Sequence, residues 1–279
     1  MSDWFHDLPV PWMALLIFGF TYLIAGLGKV LENCQMVHAV VSVLAVGKRA
    51  PAFKAVSPGM LPPLGIIFGL FVAFTAAQVW SDNDRAAAAV SSEARALRSV
   101  QVLAASFPGQ PETRLRGLTR RYIEEAANEE WPMMAQRSAT LQAIPGALAE
   151  ALQLMLALTP NSPGQQIAQR EISAALETGF DARRQRIIIS QSQVNSVKWS
   201  TLYLQAICAL IAIAMVHSDN RLASVIAMGI FATGVGASVL LIAAHDRPFT
   251  GQLSVRPDAL LQVMPEAEPN QGTNPTAKQ

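Results

Sequence analysis

The sequence predicts an all-α polytopic membrane protein, with four transmembrane helices and a helical soluble domain inserted between the second and third. Three observations predict it. Hydrophobic residues make up 51% of the 279 positions and charged residues only 15%, where a soluble domain carries about 25% charged. The deficit is concentrated in four apolar runs, at 12–31, 61–80, 199–216 and 222–244. Each is long enough to cross a hydrocarbon core of about 30 Å as a helix. Finally, no stretch of any length shows the alternation of a strand. Net charge is +1 and opposite charges nearly balance in the insert, so nothing marks a nucleic-acid-binding surface.

The first run follows MSDWFHDLPVP, an acidic and aromatic flank where a signal peptide has a basic one. Its apolar stretch is also too long for a signal peptide, so a retained span is expected. The connection at 33–60 holds VHAVVSVLAV, too short to cross and predicted to be an interfacial or packed helix. Lys48, Arg49, Pro51 and Lys54 follow, and SPGMLPP breaks the chain. The second run, LPPLGIIFGLFVAFTAAQVW, opens on Pro62 and Pro63 and holds Gly65 and Gly69. That GxxxG spacing lets another backbone approach closely.

The insert begins with an Ala-rich helix ending at Pro108-Gly109, with Val90, Leu97, Val100 and Leu103 on one stripe. Pro111 starts a second helix, a position that suits proline. It carries Leu115, Leu118, Tyr122, Ile123 and Ala126 and is expected to end at Trp131-Pro132. A third helical segment, 133–158, is interrupted at Pro145-Gly146. Asn161-Ser162-Pro163 reads as a cap with proline in the first turn. No proline then occurs until Pro248, so the fourth helix is expected to run unbroken through Arg183, Arg184 and Arg186 into the third span.

Residues 217–221 are all that join the third and fourth spans, which predicts an antiparallel hairpin. Gly229, Ala232, Gly234, Gly236, Ala237 and Ser238 give the fourth span a small-residue surface for close packing. HDRPFTGQLSVRPDALLQVM reads as an ordered tail, and PEAEPNQGTNPTAKQ as disordered. The resulting organisation is 1–80 for two spans and their loop, 81–198 for the soluble domain, 199–244 for the hairpin and 245–279 for the tail. Four spans put both termini and the insert on one side. Arg85, Arg95, Arg98, Arg183, Arg184, Arg186, Lys198, Arg247 and Arg256 make that side the cytoplasm by the positive-inside rule.

Chemistry-bearing clusters are few. Glu125 and Glu129 are four apart on one helix face. They are expected either to be solvated and paired to Arg120, Arg121 or Arg137, or to form a cation site at an oligomer axis. A di-metal carboxylate site needs Glu-x-x-His pairs on two helices, and the insert has no histidine. His6, His38, His217 and His245 are scattered, Cys34 and Cys208 form no framework, and no nucleotide-binding glycine motif occurs outside the apolar runs. No catalysis, metal or cofactor is expected. The spans carry no charge well inside their cores, unlike proton-coupled transporters. A pore without fixed charges remains open to them, because hydrophobic constrictions gate by wetting.

Two spans, a long helical insert, two spans and a short tail carry some local text as well. Glu129-Glu130-Trp131-Pro132 follows a Tyr-bearing helix. Arg247-Pro-Phe-Thr-Gly251 and Val255-Arg-Pro-Asp-Ala-Leu260 follow the last span. This resembles a bacterial family of membrane proteins described as bestrophin-like, over about 260 residues. The resemblance implies a homo-oligomeric ion channel of four or more subunits in the bacterial inner membrane, its partners being the lipid bilayer, inorganic ions and further copies of itself. It further implies a hydrophobic neck on the second span, with large apolar residues at every fourth position. Pro63, Ile67, Phe71 and Thr75 make one such row, and Leu70, Phe74 and Gln78 a rival one. The implied lining is thus Ile67, Phe71, Phe74, Thr75 and Gln78, with Gly65, Gly69, Gly229 and Gly236 packing helix on helix. The tail is much shorter than that of bestrophins and lacks their acidic calcium clasp, so calcium activation is not implied. The alternative reading is a non-conducting membrane scaffold or sensor whose helical domain binds a protein partner; a small-solute transporter ranks third.

Overall fold

In the computed structural model the described residues are 8–32, 58–217 and 220–266, and among them the chain is helical with no strand. The connection at 33–57, with its VHAVVSVLAV segment, Cys34 and His38, lies outside the described residues, as do His6 and most of the PEAEPNQGTNPTAKQ tail. The helices are α1 (Val10–Glu32), α2 (Leu61–Ala104, after a 3₁₀ turn at Pro58–Met60), α3 (Gln110–Glu125), a π turn (Ala126–Glu130), α4 (Trp131–Ala135), α5 (Gly146–Ala157), α6 (Pro163–Ser190), α7 (Ser196–Val216), α8 (Arg221–His245) and α9 (Asp258–Leu261). Four of them, α1, α2, α7 and α8, are long and apolar enough to cross a membrane. Contacts divide the chain into two units, Met1–Asp84 with Ser192–Val255 and Arg85–Gln191 with Arg256–Gln279.

The first unit contains the apolar helices. Its core gathers Met13 and Ile17 from α1, Phe68, Ala76 and Val79 from α2, Trp199 and Leu202 from α7, and Val239 and Ile242 from α8. A second cluster joins Ala25 to Leu210, Ala214, Met228 and Ala232. Helices α1 and α8 approach closely. A Cβ built on Gly236 would sit 2.8 Å from the Phe18 ring, and the Tyr22 and Thr233 hydroxyls bond at 2.7 Å. Three hydroxyls in the spans bond to their own helix, as an apolar solvent favours, whereas the buried Gln205 Oε1 of α7 has no hydrogen-bond partner among the described residues. Thr21 donates to the Ile17 carbonyl at 2.7 Å, Thr75 to Phe71 at 2.8 Å and Ser238 to Gly234 at 2.8 Å. Asn220 caps α8, accepting from the Leu222 and Ala223 amides.

The second unit is a soluble-type helical assembly. Gly109, at φ +91°, turns the chain into α3 with proline in its first turn. Ser162 caps α6, accepting from the Gln165 amide. Leu97, Val100, Leu115, Ile123, Leu148, Met155, Ile172 and Leu176 are buried there.

Three expectations about helix ends are corrected. Trp131-Pro132 does not end a helix. The chain passes from α3 through the π turn into α4, and Pro132 occupies the first turn of α4; a wide turn tolerates the missing amide that would break an α-helix. The segment at 133–158 is not helical up to Pro145-Gly146. It stops at Ala135 in a Schellman closure, with Arg137 at φ +58°, its amide on the Met134 carbonyl, and the Ser138 amide on that of Met133. The fourth helix of the insert also does not continue into the third span. It stops at Ser190, and α7 restarts at Ser196. No glycine or proline marks that break. Polar side chains make it instead: Gln191 donates to the Ala139 carbonyl at 3.0 Å, and Asn195 accepts from the Val197 amide as an N-cap. The Val194 amide finds Asp246 Oδ1 at 2.6 Å.

Candidate functional site

The second span is the first place to look, because α2 is apolar yet leaves one face uncovered. Its prolines sit in the first turn, where the missing amides would have had no partner within the helix. At about 100° per residue, Pro63, Ile67, Leu70 and Phe74 fall on one stripe. That stripe is exposed within the chain: Ile67 is 55% accessible, Leu70 54% and Phe74 67%. The opposite face, Phe68, Thr75, Ala76 and Val79, is buried in the core. The free stripe therefore takes Ile67 from one expected row and Leu70 and Phe74 from the other. Phe71 is half-buried and packs on the core. Thr75 turns inward, its hydroxyl on the Phe71 carbonyl. Gln78, one turn beyond Phe74, accepts a hydrogen bond from the Lys198 ammonium of α7.

The predicted packing glycines divide. Gly236 is occupied by Phe18, whereas a Cβ built on Gly65, Gly69 or Gly229 meets nothing within 4 Å in the single chain. Gly65 instead borders an apolar cleft of about 520 Å³ between α2, α7 and α8, with Leu64, Ile213 and Phe231 among its walls.

Glu125 and Glu129 are not drawn together with further ligands. Glu125 lies 3.6 Å from Arg121, and Glu129 is exposed within the π turn. Among the described residues no cluster of three His, Cys, Asp or Glu side chains has metal-binding geometry.

A buried ionic network in the second unit escaped the sequence reading. Glu93 of α2 is fully buried, and Arg186 of α6 grips it with both prongs, Nε to Oε2 at 2.8 Å and Nη2 to Oε1 at 2.9 Å. The Tyr122 hydroxyl also donates to Glu93 Oε1. Arg186 Nη2 reaches Glu130 Oε2 at 3.0 Å, and Arg183 Nε reaches Glu130 Oε1 at 2.7 Å. The Arg186 guanidinium lies over the Trp131 ring, 4.6 Å from its centroid. Two carboxylates and two guanidinium groups thus balance in charge, with Glu93 and Arg186 fully buried and Glu130 partly exposed. The π turn lies immediately before the contact, delivering Glu130 and Trp131 together to α6. Burial, and next the Glu93 charge, raise the Tyr122 pKa well above its ordinary value. Burial opposes the charge on Arg186, but Glu93, Tyr122 and Glu130 together outweigh it and raise its pKa. A signal was present: Glu93 sits on the apolar stripe of Val90, Leu97 and Val100, and Arg183 continues the Ile172, Leu176 and Gly179 series.

An all-helical chain with four membrane-length helices and a helical second unit is a polytopic α-helical membrane protein. The chain belongs to the bestrophin-like family, for residues 30–260 match the Bestrophin-like domain. In structure it is similar to a point mutant of a bacterial bestrophin homologue from Klebsiella pneumoniae, with a TM-score of 0.63 over 90% of this chain and 97% of that one. Identity is 11%, so this likeness speaks for the fold. Among curated proteins none matches the chain in sequence.

Proposed function

We propose that the chain is one subunit of a homo-oligomeric ion channel of four or more copies, whose neck is lined by the exposed stripe of the second span. Family membership and fold suggest an ion channel. The observation that supports a neck is the run Ile67, Leu70 and Phe74, apolar, more than half exposed and backed by a packed core. A ring of such stripes would form an apolar constriction that passes ions when wetted. Gly65 and Gly69 lie on the side of α2 away from that stripe and leave room there for another helix backbone. In this reading the protein lies in a bacterial inner membrane, with both termini and the helical insert in the cytoplasm, and the inserted domain forms a vestibule.

The test is direct. Purified protein of verified oligomeric mass, fused into planar bilayers, should give unitary currents, and Phe74→Ala should change their amplitude or open probability. Thr75→Ala, on the buried face, should not. Silent bilayers from a correctly assembled wild-type oligomer would refute the proposal, and a monomeric or dimeric mass would do so before any current is measured.

A further inference from the structure

We infer that Lys198 sets the ion preference of this neck, biasing it toward anions, with Gln78 as the residue that positions it. The inference rests on the channel reading above. Phe74 and Gln78 are four residues apart, so Gln78 lies beneath Phe74 at the end of the exposed stripe. Its Oε1 accepts from the Lys198 ammonium, which brings a positive charge from the first turn of α7 to the end of the apolar row. Among the described residues no carboxylate forms an ion pair with Lys198, and its bond to a neutral amide leaves the charge uncancelled. The spans carry no other charge along this face between Leu61 and Trp80.

Each subunit of a ring would then contribute one ammonium where the constriction ends, and rings of Lys or Arg are how pores favour anions. Carboxylates do follow on α2. Asp84 is exposed, but it lies six residues past Gln78, about 9 Å along the helix axis. That is close to a Debye length in physiological salt, so its charge is largely screened at the neck. Asp82 is half-buried and engaged in other interactions. Asp246 is buried and accepts from the Val194 amide.

The experiment is a reversal-potential measurement in planar bilayers under a KCl gradient. Wild type should favour chloride over potassium. Lys198→Gln should lower that ratio about 25-fold, the product of a factor of about five favouring chloride and about five disfavouring potassium for an ion about 4 Å from a unit charge in water. Lys198→Glu should reverse the preference, Lys198→Arg should keep it, and Asp84→Asn should change it less than Lys198→Gln does. Gln78→Leu frees the ammonium and should lower the ratio while conductance persists. A second measurement needs no variant: raising the salt from about 0.1 M to about 1 M shrinks the screening length from about 10 Å to about 3 Å, and the wild-type ratio should fall toward unity. Currents whose ion preference is indifferent to Lys198 and to salt would overturn the role of Lys198 and leave the channel standing. A silent wild-type oligomer would overturn the channel itself.

Discussion

Arg186→Met is the sharpest perturbation of the second unit. The substitution keeps length and apolar bulk but deletes both hydrogen bonds to Glu93, the one to Glu130 and the cation–π contact with Trp131. Glu93, fully buried, is left with the Tyr122 hydroxyl alone. Removing one partner of a buried pair costs about 3–5 kcal/mol, most of it the stranded charge. Glu93→Met alone should cost a similar amount by stranding Arg186, although Glu130 and Arg183 share the load. The double variant, Glu93→Met with Arg186→Met, removes both charges and leaves the Tyr122 hydroxyl without Glu93, a penalty of about 1–3 kcal/mol. It should therefore be less destabilised than the two single losses added together, by at least about 2 kcal/mol. Because the chain has two units, global unfolding is a poor readout. Amide hydrogen exchange in α3 and α6, which reads regional opening free energies, is the suitable assay. Additivity within about 0.5 kcal/mol, the behaviour of independent sites, would refute the idea that the four charges act as one unit.

Three further outcomes are expected from the same packing. Tyr122 has its folded pKa raised above the unfolded value, so its contribution is intact below about pH 10 and is lost as pH climbs through the folded pKa; exchange protection in α3 should fall in that alkaline range, and Tyr122→Phe should flatten the dependence. Gly236→Leu forces side-chain atoms into the Phe18 ring and should cost about 1–3 kcal/mol by overpacking, seen as a lower melting temperature in detergent and restored in part by Phe18→Ala. Gly229→Leu, with open space around it in the single chain, should leave that melting temperature nearly unchanged. Asn195→Ala removes the α7 cap and should cost about 1 kcal/mol, measurable as faster exchange of the Val197 amide.

What could be read from the sequence followed from solvent physics. Four long apolar runs had to be helices because lipid offers no partner to a backbone amide. Prolines and glycines mark helix ends incompletely in this chain. The α6–α7 break carries neither and is made by Gln191 and Asn195 side chains competing for the backbone. Pro132 looked like a terminus and is instead housed by a π turn, a local widening that no residue type announces. Glu93 is a lone carboxylate in an alanine-rich segment, a setting in which a carboxylate is ordinarily solvated. Its place on the stripe of Val90 and Leu97 was legible, but its partner on α6 is 93 residues away and only folding brings the two together. On the second span, periodicity allowed two faces, and only packing against α1, α7 and α8 separated Thr75 from Phe74.

The seating of Phe18 on Gly236 has a consequence in time. The partner of the first span is the last span to be made, roughly 200 residues later. At about 5–20 residues per second, the ribosome leaves the first span in the bilayer for about 10–40 s before α8 arrives. It can wait there cheaply, since Thr21 bonds its own Ile17 carbonyl, whereas the Tyr22–Thr233 hydroxyl pair can close only at the end. Membrane insertion and fold completion are therefore separate events in this chain, and variants at Gly236 should trap a protein that is already inserted and not yet assembled.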